Sequence, residues 1–310
     1  MTTPKTVAGL HHITAVSGNP QENIDFYTGP LGQKLVKQTV NFDDPGTWHL
    51  YYGDTLGSPG TILTFFPFAN AAPGRAGAGA ASAFAYLTAP GAIDGWLESL
   101  KAAGIPARDA GERFGQRVIA LQDPHGQPVE IIGDPAVEGS GAALQGFHST
   151  TLWVADPAPT ARILTGVFGY EEAGHERQAD GERLRFAAPG DGRGRFIDIY
   201  RADGAPRHRP GSGTIHHIAF RAEDDAMQDS LREALIGAGM QVTPRIDRQY
   251  FNAIYFREPG GVLFEVATDP PGFAVDEPQE SLGRTLKLPP QYEAHREEIM
   301  RALPPIALPA

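Results

Sequence analysis

Two His-His pairs stand 205 residues apart in this chain, each near the start of an apolar run. One is Leu10-His11-His12-Ile13-Thr14, and the other is Ile215-His216-His217-Ile218-Ala219-Phe220. Glu265 comes forty-eight residues after the second pair, inside Val262-Leu263-Phe264-Glu265-Val266. Two imidazoles and one carboxylate are enough to hold a redox-active metal while leaving coordination positions open. A glutamate among Val262, Leu263, Phe264 and Val266 is costly if it is buried without a partner. A solvent-facing edge strand or a bound cation would remove that cost, and the two matched histidine pairs favour the cation. Neighbouring side chains in a strand point to opposite faces. Only one histidine of each pair is therefore expected to ligate on a given face unless the strand is broken.

The elements that must bring these residues together form an internal repeat. Thr28-Gly29-Pro30-Leu31-Gly32 returns as Thr165-Gly166-Val167-Phe168-Gly169, and the stretch Gln122 to Glu130 returns as Arg257 to Glu265. Each half divides again into a strand-like run, a helix and two or three further strand-like runs. In the last quarter a strand covers His217 to Arg221, and Asp224 or Asp225 caps a helix whose stripe is Met227, Leu231 and Leu235. Gly237 and Gly239 end that helix. Ala253 to Arg257, the turn Glu258-Pro259-Gly260-Gly261 and Val262 to Ala267 follow. The expected fold class is α+β: four βαβββ modules starting near residues 9, 82, 146 and 214. The expected division is 1–140 for modules one and two, 141–270 for modules three and four, and a proline-rich tail over 271–310. A short helix is expected around Glu293 to Ala302. Pro67 to Ala81 is the most linker-like stretch.

Composition narrows the partners. A net charge of −11 argues against nucleic acid and against an anionic membrane surface. No apolar run approaches the roughly 20 residues needed to span a bilayer. With no cysteine, thiolate metal sites, Cys nucleophiles and disulfides are excluded, which suits a cytoplasmic protein. A small-molecule substrate is the expected partner, with a homo-oligomer open.

Seven stretches carry a resemblance. They are Leu10-His11-His12-Ile13-Thr14, Trp48-His49-Leu50-Tyr51-Tyr52, Arg113-Phe114-Gly115-Gln116-Arg117, Gly146-Phe147-His148-Ser149, Ile215-His216-His217, Pro259 to Glu265, and Glu280-Ser281-Leu282-Gly283. With the four modules, they resemble the vicinal oxygen chelate superfamily (glyoxalases, bleomycin-resistance proteins and extradiol dioxygenases), closest to the hydroquinone-type ring-cleaving dioxygenases. The resemblance implies modules paired into two incomplete barrels, with modules one and four closing around the metal. It implies His12, His217 and Glu265 as ligands, Fe(II) as the metal with Mn(II) able to use the same set, and an aromatic substrate plus dioxygen. It further implies catalytic roles for His11, Thr14, His216, Arg248 and Tyr255. Arg248 suits an anionic substituent, and Tyr255 suits donation to a phenolate. Whether Tyr255 shares a face with Glu265 stays open, because the hairpin register around Pro259 is not readable from sequence.

Other readings of the same superfamily remain. A glyoxalase-like isomerase or lyase needs a fourth protein ligand, yet no Asp or Glu occurs between Thr55 and Ala81. A metal-free binding protein that sequesters small molecules is the other alternative. In the second half-site the matching positions hold Ser82 (Ala83 if the register slips), Glu130 and Ser149, so Glu130 reads as structural. His148 matches His11. His49 is divided evenly between lining the site and packing, and Arg117 reads as structural.

Overall fold

A computed structural model describes residues 6–139, 141, 143–190, 192–202 and 204–308. The first module runs β1 (Leu10–Ser17), α1 (Pro20–Thr28), β2 (Lys34–Asn41), β3 (Asp44–Gly53) and β4 (Ile62–Pro67). The second runs β5 (Ala80–Thr88), α2 (Ile93–Ala102), β6 (Ala107–Arg113), β7 (Gln116–Gln122) and β8 (Pro128–Gly133). The third runs β9 (Phe147–Trp153), α3 (Pro157–Gly166), β10 (Glu171–Gln178), β11 (Gly181–Ala187) and β12 (Phe196–Ala202). The fourth runs β13 (Thr214–Ala222), α4 (Asp225–Gly237), β14 (Ile246–Asp247), β15 (Phe251–Arg257) and β16 (Leu263–Pro271). The boundary expected between residues 140 and 141 touches Ser140, which lies outside the described residues.

The fourth module's helix shows why these segments fold as they do. The Asp224 side chain accepts from Met227 N at 2.7 Å and satisfies one of the free amides at the helix start. Met227, Leu231 and Leu235 are buried in one stripe against the sheet, each contributing on the order of 1.5–3 kcal/mol of apolar burial. Gln228 on the same face is also buried, and its amide donates to Asn252 O and Val266 O. That bond ties the helix to the two strands that carry Tyr255 and Glu265.

Modules pair across the sequence. One eight-stranded sheet has the order β14-β15-β16-β13-β1-β4-β3-β2, and the other β10-β11-β12-β9-β5-β8-β7-β6. The strands of modules one and four thus share one curled half-barrel, and those of modules two and three share the other. The antiparallel seam β1–β13 brings the two His-His pairs together, although 205 residues separate them. The linker-like stretch is an ordered crossing from one sheet to the other. Gly74 N, Arg75 N and Ala78 N donate to Ser212 O, Arg209 O and Pro206 O. Its last two residues, Ala80 and Ala81, already belong to β5.

The tail returns to the first sheet. It forms a 3₁₀ turn over Pro290–His295 and then α5 (Arg296–Ala302). Lys37, fully buried, donates to Phe273 O at 2.9 Å and to Asp276 at 2.6 Å, and also contacts Glu277. Asp276 accepts from Gln249 Nε2 and Tyr250 Oη as well. The tail therefore pins the turn that presents Arg248.

Candidate metal centre

The positions of the histidines depend on two breaks in the β1–β13 seam. Leu10 pairs with Phe220 and His12 with Ala219, so His11 is an extra residue on its strand. Thr14 pairs with His217 and Ala15 with Ile215, so His216 is extra on the other. A bulge leaves two consecutive residues facing one partner residue. This corrects the strict alternation expected from sequence. His11 and His216 are not turned away from His12 and His217, because each ring lies against its neighbour's, Nδ1 to Nδ1, at 3.0 and 2.8 Å.

The remaining nitrogens converge. His12 Nε2 and His217 Nε2 are 3.3 Å apart, and Glu265 Oε2 lies 3.3 Å from the first and 2.9 Å from the second. Glu265 is fully buried, and neither of its oxygens has a hydrogen-bond partner. Burial alone would raise its pKa; positive charge beside it, at His12 and His217, outweighs burial and lowers it well below the usual carboxylate range. Donors about 2.1 Å from a shared ion at right angles sit about 3 Å from one another, whereas tetrahedral angles give about 3.4 Å. Two of the observed separations lie near the tetrahedral value and one near the right-angle value, so the three atoms fit around one ion in either arrangement. The donor set and the orphaned carboxylate therefore suit a divalent cation. Among the described residues, these three form the one His, Cys, Asp and Glu group with convergent ligand atoms.

The outer imidazoles complement the tautomers that a metal needs. Burial, with His12 adding to it, pushes His11 down to about 3. Burial and then His217 push His216 down to about 4. Both are neutral and can accept at Nδ1. With a metal on each Nε2, His12 and His217 would carry their protons on Nδ1 and donate them to His11 and His216. The two outer rings differ in access. His11 lies behind His12, against Phe251 at 5.2 Å between ring centres, and is buried. His216 lines the cavity.

That cavity, about 500 Å³, opens over the three ligands. Its walls include Phe42, Phe66, Phe68, Phe251, Thr14 and Arg248. Tyr255 pairs directly with Glu265 across β15–β16, so the two share a face. The register comes from the turn between those strands. The Glu258 carboxylate accepts from Val262 N, Gly260 N and the Thr160 hydroxyl. A Cβ at Gly260 would sit 2.7 Å from that carboxylate. Arg248 Nε donates to Tyr255 Oη at 3.2 Å, and Arg248 Nη1 reaches Asp43 at the cavity mouth at 3.4 Å. Burial, then the Glu265 charge, raise the Tyr255 phenol, which stays protonated.

Sequence reasoning left one residue undecided and missed two. His49 lines the cavity and bonds Thr64 Oγ1 at 2.8 Å and Tyr51 Oη at 2.9 Å. Tyr51 was not singled out, although its alternation with His49 in β3 puts both on one face. Thr64 was unread. In the sheet Glu265 pairs with Ala219, two residues beyond His217, and Thr64 pairs with Thr14, two beyond His12. Thr64 therefore stands where a fourth, symmetry-related carboxylate would.

The second half-barrel repeats this plan with different chemistry. Bulges recur at Ser82 and His148. Glu130 pairs with Ala85 and Asp198 with Thr151. The ligand-equivalent positions are therefore Ala83 and Ser149, not Ser82. Both carboxylates survive there and both imidazoles are gone. Guanidinium groups supply the positive charge: Arg113 grips Glu130 with two bonds of 2.6 Å, and Arg185 grips Asp198 with bonds of 2.8 and 3.0 Å. His148 Nδ1 bonds Ser149 Oγ at 3.0 Å, as His11 bonds His12. Arg117 pairs with Asp94 and Asp109 on the surface.

The model of the Glyoxalase/Bleomycin resistance protein/Dioxygenase superfamily matches residues 9–131 and 146–266. The chain belongs to this superfamily. Within it, the chain is 46% identical over 310 residues to a Bacillus subtilis protein named "Putative ring-cleaving dioxygenase MhqO", with 97% of each chain covered. It is 34% identical over 322 residues to the chlorohydroquinone/hydroquinone 1,2-dioxygenase of Sphingobium indicum, with 98% of each covered. A solved structure titled as a putative dioxygenase from Bacillus subtilis superposes with a TM-score of 0.90 at 45% identity, covering 98% of this chain and 99% of that one. Glyoxalase I from Zea mays shares the superfamily fold at a TM-score of 0.65 and 13% identity, covering 84% of this chain and 92% of that one. Among the described residues, no helix is long and apolar enough to cross a membrane.

Proposed function

We propose that the chain is a non-haem Fe(II) dioxygenase that cleaves the ring of hydroquinone- or catechol-type aromatics in an extradiol-like manner. The observation that carries the reading is a three-donor cluster beneath an aromatic-walled cavity, with Thr64 in place of a fourth ligand. His12, His217 and Glu265 would hold the metal, and Mn(II) suits the same donors. Bound there, the metal supplies the electron transfer that couples ring oxidation to dioxygen reduction, with both oxygen atoms ending in the product.

The chain's own groups do the rest. Phe42, Phe66, Phe68 and Phe251 line the cavity where a planar ring would lie. Arg248 and Tyr255, already bonded to each other, present a cation and a phenol O–H to an anionic substrate oxygen. His216 is neutral and faces the cavity, and with its Nδ1 accepting from His217 its Nε2–H can donate to a substrate oxygen. His11 and the Nδ1 bond of His216 hold the ligand rings in register. The similarity to enzymes named for ring cleavage of hydroquinones supports this substrate class. The glyoxalase-like alternative asks for a carboxylate where Thr64 stands.

Anaerobic Fe(II) loading followed by oxygen uptake with a panel of hydroquinones and catechols tests the proposal. Uptake with at least one is expected, one dioxygen per substrate consumed. No uptake from protein that holds one iron per chain would reject it.

A further inference from the structure

Four polar side chains form one connected line beside the three ligands. Tyr51 Oη lies 2.9 Å from His49 Nδ1, His49 Nε2 lies 2.8 Å from Thr64 Oγ1, and Thr64 Oγ1 lies 2.9 Å from Thr14 Oγ1. Tyr51, Thr64 and Thr14 are all buried. Burial lowers the His49 imidazole and raises the Tyr51 phenol, so both are neutral.

A neutral imidazole has one N–H and one acceptor nitrogen. The line therefore has only two polarities in which no interior proton is left unused. In one, Tyr51 donates to Nδ1, Nε2–H donates to Thr64, and Thr64 donates to Thr14. In the other every bond is reversed. The first gives the phenol, the most acidic hydroxyl of the set, to the imidazole nitrogen, the most basic acceptor. The reverse asks an aliphatic hydroxyl to donate to the imidazole and uses the phenol oxygen, a poor acceptor, for the N–H. The first polarity thus prevails, and it leaves the Thr14 proton unused within the line. Among the described residues the Thr14 hydroxyl has no other side-chain partner, and Thr14 lines the cavity. A carboxylate in place of Thr64 would accept from both Thr14 and His49 and draw the Thr14 proton away from the cavity.

We propose that Tyr51, His49 and Thr64 form a polarised hydrogen-bond relay that holds the Thr14 hydroxyl as a donor into the cavity, toward an anionic oxygen of the bound aromatic. His49, Tyr51 and Thr64 are positioning residues that act through Thr14. The use of the relay in turnover rests on the ring-cleaving reading of the site, whereas its polarity does not.

Long-range proton–nitrogen correlation spectra of the full chain, ¹⁵N-labelled at histidine and without added metal, read the polarity directly. His49 is assigned by the signal lost in His49→Gln. A single Nε2–H tautomer is expected, and an Nδ1–H tautomer or an even mixture overturns the relay. In the iron-loaded enzyme with a hydroquinone, Thr14→Val should lower kcat roughly tenfold or more. Tyr51→Phe and Thr64→Val should lower kcat with KM little changed, Thr64→Ser should restore it, and neither loss should add to that of Thr14→Val. Losses that add in full, or fall on KM alone, overturn the proposal. If no dihydroxy aromatic is turned over, the ring-cleaving reading fails and the spectra alone decide the relay.

Discussion

Glu265→Gln should stabilise the protein without metal and remove most of the stability that metal adds. The side chain is fully buried and neither oxygen has a hydrogen-bond partner, while His12 Nε2 and His217 Nε2 face it at 3.3 and 2.9 Å. With both imidazoles neutral nothing compensates that buried charge, which costs several kcal/mol. A glutamine of nearly the same volume carries no charge, and its unmet amide costs about 1–3 kcal/mol. In chelator the variant is therefore expected to be more stable by about 1–4 kcal/mol. Metal narrows or reverses that difference. A cation at a hundred times its dissociation constant adds about 2.7 kcal/mol to the wild type. The variant, lacking the anionic donor, gains far less. Urea titrations of both proteins, in chelator and in Mn(II), which resists air oxidation, measure all four stabilities. A variant that is less stable in chelator and equally unmoved by Mn(II) would refute the reasoning, because the carboxylate would then be a structural hydrogen-bond acceptor.

Three further outcomes follow from the same geometry. His12→Ala should lose the metal as completely as His217→Ala, although the two lie in different modules; metal content after gel filtration checks this. Glu130→Ala leaves the Arg113 guanidinium without its bidentate partner, so a loss of about 3–5 kcal/mol in urea is expected with metal content unchanged. His148 is held down to about 3, chiefly by burial and next by Arg185. Between its unfolded value of about 6.5 and that value, only the unfolded chain binds the proton, so stability falls as pH falls through this window. His148→Gln should therefore remove about 1.4 kcal/mol per pH unit of acid sensitivity relative to wild type, read from urea midpoints at pH 7 and pH 5.

The second half-barrel explains why one half carries the chemistry. Both halves keep the bulged seam and a last-strand carboxylate. One half places imidazoles opposite that carboxylate, and the other places Ala83 and Ser149 there and fills the interior with arginine. Guanidinium and metal are alternative answers to the same buried negative charge. The arginine pairs answer it within the chain, while the His-Glu cluster leaves it to a bound cation.

Much of this was legible in the sequence because it is periodic. Repeats near 135 residues, one apolar stripe per helix and glycines at helix ends depend on neighbours along the chain, so they marked four modules and their order. Glu265 and the two His-His pairs stood out by residue type alone, since an acid in an apolar strand is conspicuous, whereas the choice of His12 and His217 within the pairs came from the family resemblance. Three things belonged to the tertiary structure. The bulges at His11 and His216 exist only where β1 and β13 pair, so alternation along a single strand misjudged the outer histidines. The Tyr255–Glu265 register was fixed by Glu258, whose carboxylate reaches across to the Thr160 hydroxyl in another module. Thr64 became meaningful only when β4 lay beside β1, at the place Glu265 holds beside β13. Each depends on which strands become neighbours across a seam, and pairing between distant segments leaves no periodic trace in the order of residues.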